Sequence, residues 1–269
     1  MFDRFKNRFI LRGTLRAETA LYIGAGQESF TPLAVQGSLL KNVQGEPYIP
    51  GSSLKGVLRS FLESISDKGD CVCCGNKLKG KRERDDKIAE LKRNGDRDDG
   101  DALLAEYIDK NSCLACRLFG SGIMAGKLKF ADAQLENSDA WIRTELRTGN
   151  AIDRDTHTTA TSALFDTEVI PSGTKFSFRI AAENLGREEL LIFGEIVQYF
   201  TQGGISVGGR SRAGLGQVSV SDISAEYHFI QKGSFSLEQK KMENTDNDIP
   251  GALVSLLGSE KEEAPCLNN

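Results

Sequence analysis

The residues best equipped for chemistry lie at 203–216, Gly-Gly-Ile-Ser-Val-Gly-Gly-Arg-Ser-Arg-Ala-Gly-Leu-Gly, where six glycines surround Arg210 and Arg212. Glycine tolerates positive φ and lets a bulky ligand approach the main chain. Successive exposed N–H groups in such a loop form an anion-binding concavity, and guanidinium forks match phosphate oxygens. Gly208, Gly209, Arg210, Ser211 and Arg212 are therefore candidate phosphate-binding residues. The plain alternative is a glycine-rich connection carrying two solvated arginines. Nucleotide motifs do not fit: a P-loop requires Lys and then Ser or Thr after its last glycine, whereas Leu215 and Gly216 follow Gly214. Gly24-Ala-Gly26-Gln-Glu-Ser29 starts like a dinucleotide fingerprint, but Ser29 replaces the third glycine and Phe-Thr-Pro follows where a helix should run. A longer phosphate chain suits these loops better.

A second basic element follows Pro50-Gly-Ser-Ser. Lys55 and Arg59 are four residues apart, so on a helix they share the polar face. The amides of Gly51, Ser52 and Ser53 and the helix dipole favour an anion at that N-terminus. The alternative is a solvated face with Arg59 paired to Glu63.

Cys71-x-x-Cys74 and Cys113-x-x-Cys116 are two thiol pairs, each able to supply two vertices of a tetrahedron. Two such pairs close a structural zinc site and leave no open position for catalysis. The 38 residues between the pairs exceed the usual ribbon spacing, which requires the intervening segment to loop out. Cys73 is an alternative ligand to Cys74, and free or redox-active thiols are the competing reading. Cys266 stands apart near the end of the sequence. His157, in Asp153-Arg-Asp-Thr-His-Thr-Thr, is an acid/base candidate or a polar loop residue. Asp132, just after Phe130, is a ligand or base candidate or a satisfied turn carboxylate.

The elements that must position these groups can be read from periodicity. Phe9–Glu18 alternates like a strand. Leu54, Val57, Leu58, Phe61, Leu62 and Ile65 give Ser52–Ser64 one apolar helical face, with Ser52 or Ser53 as cap. Lys127–Leu135, Ile142–Arg147 and Lys175–Ala181 read as strands, Glu188–Phe200 as a buried helix, and Gln217–Ile230 as a bent strand. The order strand, helix, two strands, helix, strand predicts an α+β chain with a ferredoxin-like or RRM-like arrangement, decorated by long loops. Residues 67–117 read as an insertion, in which 77–101 carry nine Lys/Arg and eight Asp/Glu with little apolar periodicity, so mobility is expected there. Residues 149–172 lack a core pattern, a mark of a functional or disordered excursion. Residues 231–269 read as a polar, loosely held tail outside a domain spanning 1–230.

Composition bounds the rest. A chain of 269 residues, 39% hydrophobic and 27% charged, can bury one large core or two small ones. No apolar run reaches membrane-spanning length and the start is unlike a signal peptide, so a cytoplasmic location without membrane partners is expected. The net charge of −4 does not exclude nucleic acid, because the acids concentrate at 83–109 and in the final segment, away from the glycine-rich loops.

Several motifs then fall into register. Tyr22-Ile-Gly-Ala-Gly, Pro47-Tyr-Ile-Pro-Gly-Ser-Ser-Leu-Lys-Gly-Val-Leu-Arg, Phe130-Ala-Asp-Ala, Thr148-Gly-Asn-Ala-Ile-Asp-Arg and Gly208-Gly-Arg-Ser-Arg-Ala-Gly-Leu-Gly-Gln-Val resemble, in order, the motifs of the RAMP superfamily. The resemblance covers roughly 8–225 and is nearest to the Csm-type backbone subunits of type III CRISPR effector complexes. It implies an RRM-like palm with helical and zinc-binding insertions, a thumb hairpin at 149–172, and several copies or paralogues stacked along a CRISPR RNA opposite target RNA. It implies guide-phosphate contacts for Lys55, Arg59, the backbone of Gly51–Ser53 and the loop Gly208–Arg212. It also implies an aspartate for metal-dependent RNA cleavage in the loop before Pro-Gly-Ser-Ser, where this sequence aligns Gln36. Glutamine carries no charge and is neither a base nor a carboxylate ligand for a hard metal. Binding without cutting is thus the expectation. The alternatives are a magnesium-dependent endoribonuclease using another acid such as Glu28 or Asp132, and a standalone zinc-containing RNA-binding protein.

Overall fold

The computed structural model describes residues 5–26, 37–66, 71–74, 97–136, 144–153, 157–203, 205–230, 237–243 and 249–257, with positions 85, 86, 89, 90, 93 and 155 between them. Gln36, Glu28 and Cys266 lie outside these described residues.

The central strand is β1 (Asn7–Ala17), where Phe9, Leu11, Leu15 and Ala17 recur at even spacing and are buried. It pairs antiparallel with β6 (Lys175–Glu183) on one side and β7 (Val218–Ile230) on the other. β2 (Leu128–Phe130) and β3 (Gln134–Leu135) both pair with β6, and β8 (Leu237–Glu243) pairs with β7, giving the order β2-β6-β1-β7-β8. Phe176, Phe178 and Ile180 of β6 are buried while Lys175, Ser177 and Arg179 are exposed, so the sheet has one apolar and one solvated face. The anticipated bend in β7 is a bulge: the register with β1 shifts between Arg12 and Thr14, and Asp222 takes φ 54°.

Helix α1 (Gly51–Ile65) buries Leu54, Leu58 and Leu62, an i, i+4, i+8 stripe. Helix α2 (Arg97–Lys110) falls within 67–117, whereas α3 (Leu114–Phe119) runs past it and buries Ala115, Leu118 and Phe119 in the common core. Helix α4 (Arg187–Thr201) buries Leu190, Phe193, Ile196, Val197 and Phe200. One apolar cluster joins these stripes to the sheet.

Four expectations change. The segment Lys127–Leu135 is two strands, because Ala133 leaves β6 and bridges Ile49 instead. The hairpin expected at 149–172 starts earlier and takes in the end of the strand read at Ile142–Arg147: β4 (Glu145–Ile152) and β5 (Thr159–Val169) pair with each other and so need no core stripe. Within the charged stretch 77–101 the described residues are helical, ending in the first turn and a half of α2. Of the segment 231–269, the described residues 237–243 and 249–257 are held in the fold: β8 extends the sheet, and Ile249, Leu253 and Leu256 of α5 (Ile249–Leu257) are buried in the common core. Gly194 of α4 has no room for a Cβ, which would meet the Pro250 backbone at 2.6 Å.

Candidate nucleic-acid interface and metal centre

The glycine-rich loop is rigid because its backbone is tied down at both ends. The Val207 amide donates to the Gly216 carbonyl at 2.8 Å, and the Gly216 amide to the Ala20 carbonyl at 2.9 Å. The Gly209 amide donates to the Tyr22 carbonyl at 2.8 Å. Gly208, at φ 89°, lies so close to Tyr22 that a Cβ would overlap its carbonyl oxygen. The loop then turns through left-handed Arg210 (φ 59°), a 3-10 turn at Ser211–Ala213 and left-handed Gly214 (φ 82°). Residues 208–214 are all exposed, although the amides of Gly209, Ala213, Gly214 and Gly216 are used internally. Arg212 has no ion pair among the described residues.

Arg210 is held between two rings. Its guanidinium carbon is 5.4 Å from the centroid of Tyr22 and 4.8 Å from that of Phe165 on β5. Opposite Phe165 in the hairpin register stands Gly149, where a Cβ would overlap the ring. Glu168 fixes the base of the hairpin. Its carboxylate accepts from Lys41 Nζ at 2.6 Å, Thr144 Oγ1 at 2.6 Å and the Leu39 amide at 3.3 Å. Burial acts to raise this carboxyl, but the hydrogen bonds from Lys41, Thr144 and Leu39 outweigh it and hold Glu168 below its ordinary value. Gly37 forms a parallel bridge with Thr167, so the residue next to position 36 is docked against β5.

At the start of α1 the Asp132 carboxylate accepts from the Gly51 amide at 2.8 Å. Asp132 is thus a satisfied cap, and its charge already occupies the positive end of the helix. Gly51 is buried against the Phe130 and Ala131 carbonyls. Ser52 is exposed, and Ser53 and Lys55 are half-buried. Arg59 points elsewhere: Nε donates to Glu63 at 2.8 Å and Nη1 to the Gly120 carbonyl at 2.9 Å. His157 sits exposed at the hairpin turn with φ 53°, its amide bonded to the Asp153 carbonyl.

The cysteine pairs do meet. The Sγ atoms of Cys71, Cys74, Cys113 and Cys116 lie within 4.8 Å of one another, with Cys74 3.5 Å from Cys113 and 3.2 Å from Cys116. Four thiolates around a tetrahedral zinc at about 2.3 Å would stand about 3.8 Å apart, so the donor set fits. Cys73 is outside this four-sulfur group, with its Sγ 3.0 Å from Ser112 Oγ. Two elements build the knuckle: the Val72 amide donates to the Asn111 carbonyl after α2, and α3 carries Cys116. Burial opposes ionisation of Cys71, Cys74 and Cys116. At Cys71 the amides of Cys113, Cys74 and Cys73 outweigh it and bring the thiol down to about 7. Burial wins at Cys74, pushed up to about 12, and at Cys116, also pushed up.

Sequence reasoning missed three features. Tyr22 and Phe165 as the rings around Arg210 could have been suspected only from an aromatic inside the Tyr22-Ile-Gly-Ala-Gly motif. The Glu168 anchor carried no signal. The third is a buried ion pair: Lys127 Nζ donates to both oxygens of Glu189, at 2.8 and 2.7 Å, with Lys127 8% and Glu189 5% exposed. Glu189 also accepts from the Gly186 amide at 3.1 Å, an N-terminal cap on α4 that its N3 position does signal.

Among the described residues no helix is long and apolar enough to cross a membrane. Residues 14–219 match the RAMP superfamily. Over 231 residues the chain is 26% identical to the CRISPR system Cms endoribonuclease Csm3 of Methanocaldococcus jannaschii, covering 81% of this chain and 80% of that protein. It is 31% identical over 154 residues to the protein of the same description from Streptococcus thermophilus, covering 53% and 54%. The Methanothermobacter thermautotrophicus protein of that description matches at 36% over 75 residues, 26% of this chain and 31% of its own. The motifs that carried the resemblance sit at the rigid loop, the α1 start and the hairpin, and the family match spans all three: the chain belongs to the RAMP superfamily.

Proposed function

We propose that this chain is a CRISPR-RNA-binding backbone subunit of a type III effector complex, holding guide against target RNA. The observation that carries the reading is the rigid, exposed glycine-arginine loop 208–214, mounted on Tyr22 and joined to the β4–β5 hairpin through Arg210. Sequence-independent phosphate contacts are what such a loop offers, with Lys55, Ser52 and Ser53 as the second set. Arg59 contributes less, since two of its donors are taken by Glu63 and Gly120. The order β2-β6-β1-β7, with α1 and α4 in the two crossovers, supports a ferredoxin-like palm. The hairpin serves as the thumb. The four cysteines hold structural zinc, which ties the insertion to α1 and supplies no catalysis. Partners are CRISPR RNA, target RNA and sister subunits or further copies, in the cytoplasm.

This subunit binds without cutting, because Gln36 stands where the family's aspartate is expected. The competing reading, a magnesium-dependent endoribonuclease, is favoured by the name endoribonuclease carried by all three relatives. Of its alternative acids, Asp132 is engaged as a cap and Glu28 lies outside the described residues, while the acid/base candidate His157 lies at the hairpin turn. Sequencing of RNA co-purified with the full chain from its native complex should return CRISPR repeats with variable spacers. Incubating that complex with matching target RNA and magnesium should leave the target uncut at this subunit's positions. Regular cleavage there would establish the endoribonuclease, and purification free of small RNA would remove the whole reading.

A further inference from the structure

We propose that Arg59 is the outer-shell cation of the four-cysteine centre and couples its metal occupancy to helix α1. The inference rests on the metal reading above. Four thiolates around a divalent cation carry a net charge of −2, and here they are packed with Met124 and Ile108, where that charge is poorly hydrated. A nearby cation stabilises the loaded site more than the empty one.

Arg59 is built into that position. Nη1 donates to the Gly120 carbonyl at 2.9 Å, and the Gly120 amide in turn donates to the Cys116 carbonyl at 2.8 Å. Gly120 closes α3, the helix that carries Cys116, and its φ of 86° lets the chain turn there. Arg59 is therefore two hydrogen bonds from a ligand backbone. The charges of Cys116 and Cys74 also reach it, adding to the larger effect of its Glu63 partner in holding the guanidinium pKa above its ordinary value. Glu63, at 2.8 Å, is the opposing group: it offsets part of the cation that the sulfur cluster would feel. Arg117, next to Cys116 in sequence, faces Glu189 instead, at 3.8 Å.

The path continues through α1. Arg59 lies two turns beyond Gly51–Ser53 and one beyond Lys55, on the same rigid helix. Metal binding orders α3, α3 holds Arg59, and Arg59 fixes the azimuth of the helix that presents Lys55. This explains why a basic residue with the spacing of a phosphate ligand is turned toward the insertion.

The test uses the full chain with zinc in competition with a chromophoric chelator, and cobalt as a spectroscopic stand-in. Wild type should bind one metal with a tetrahedral thiolate spectrum, and its α1 amides should exchange more slowly when loaded. Arg59→Gln should weaken zinc binding about 10-fold or more, the range of outer-shell contacts, and abolish the metal dependence of α1 exchange. Arg59→Lys should recover part of the affinity, through its charge, but not the exchange coupling. Glu63→Gln should change affinity in the opposite sense, tightening zinc, and it keeps the proposal testable where Arg59→Gln does not fold. Unchanged zinc affinity in Arg59→Gln, weaker or unchanged affinity in Glu63→Gln, or α1 exchange indifferent to zinc in wild type would each overturn the coupling. A wild-type chain that takes up no zinc or cobalt would instead overturn the metal reading beneath it.

Discussion

The guanidinium carbon of Arg210 lies 4.8 Å from the ring centroid of Phe165, and this contact joins the glycine-rich loop to the β4–β5 hairpin. Each exposed cation–π contact is worth about 0.5–1 kcal/mol, and Arg210 makes two. Arg210→Ala should therefore speed amide exchange in Thr159–Val169 several-fold while leaving β1 and β6 unchanged. Arg210→Lys keeps the charge but loses the flat stacking surface, so it should preserve salt-dependent RNA binding better than hairpin protection. Equal hairpin exchange in all three proteins would show that the rings do not hold it.

Gly208→Ala places a Cβ against the Tyr22 carbonyl at a backbone φ of 89°. Left-handed strain and the overlap together should cost about 1–3 kcal/mol. Denaturant unfolding would read this directly. The same change at Gly214, also left-handed but with open space around its Cβ position, should cost less.

The Lys127–Glu189 pair is buried, so its two charges depend on each other. Lys127→Met leaves the buried carboxylate with only the Gly186 amide and the more distant Arg117, and should destabilise the fold by about 3–5 kcal/mol. The double variant Lys127→Met/Glu189→Met should regain much of that loss, since both charges are gone. A simple sum of the two single costs would show that the residues act independently.

Glu168 and Glu183 are both held below their ordinary value of 4.5, against burial, by hydrogen bonds from Lys41 and Thr144 and from Lys129 and Arg8 respectively. The folded chain thus binds these protons less tightly than the unfolded chain. Their stabilisation is complete above about pH 4.5 and fades as pH falls through the lowered folded values. Glu168→Gln should lower stability at pH 7 and flatten the acid limb of the stability profile, with the loss concentrated at the hairpin base.

Lys55 is half-buried on α1 and has no ion pair among the described residues. Lys55→Ala should weaken RNA binding equally for all sequences and lower the salt slope by about 0.7–1, the loss of one phosphate contact. A sequence-selective loss would place Lys55 at a base instead.

Elements with long-range periodicity were legible in the sequence. The leucine stripe of α1, the apolar face of α4 and the alternation in β1, β6 and β7 each appear within a residue or two of their expected places. The cysteine grouping was legible too, from the two Cys-x-x-Cys pairs, although the 38 residues between them exceed the usual spacing and only the fold brings Cys71, Cys74, Cys113 and Cys116 together. What escaped was decided by tertiary partners. Arg59 has the same spacing from Lys55 whether it faces a phosphate or Gly120, and only the position of α3 settles which. The chain after 231 looks polar because β8 is an edge strand rich in charged residues; α5, Ile-Pro-Gly-Ala-Leu-Val-Ser-Leu-Leu, is largely apolar but only nine residues long, too short for a periodic stripe to stand out. Lys127 and Glu189 each read as surface residues until both are seen inside.

The place of β1 at the centre of the sheet also dictates an order of assembly. Arg8 pairs with Glu183 on one side, and Asn7 with Phe229 on the other. On a ribosome adding about 5–20 residues per second, β1 would wait roughly 10–40 s before β7 emerges. Until β6 is made at Lys175–Glu183 this apolar strand has neither neighbour, and until β7 follows it has only one, so its closure must span most of the chain. Folding of this architecture is therefore gated by its latest-made strands, which makes it slow for its size and dependent on protection of its first segment during synthesis.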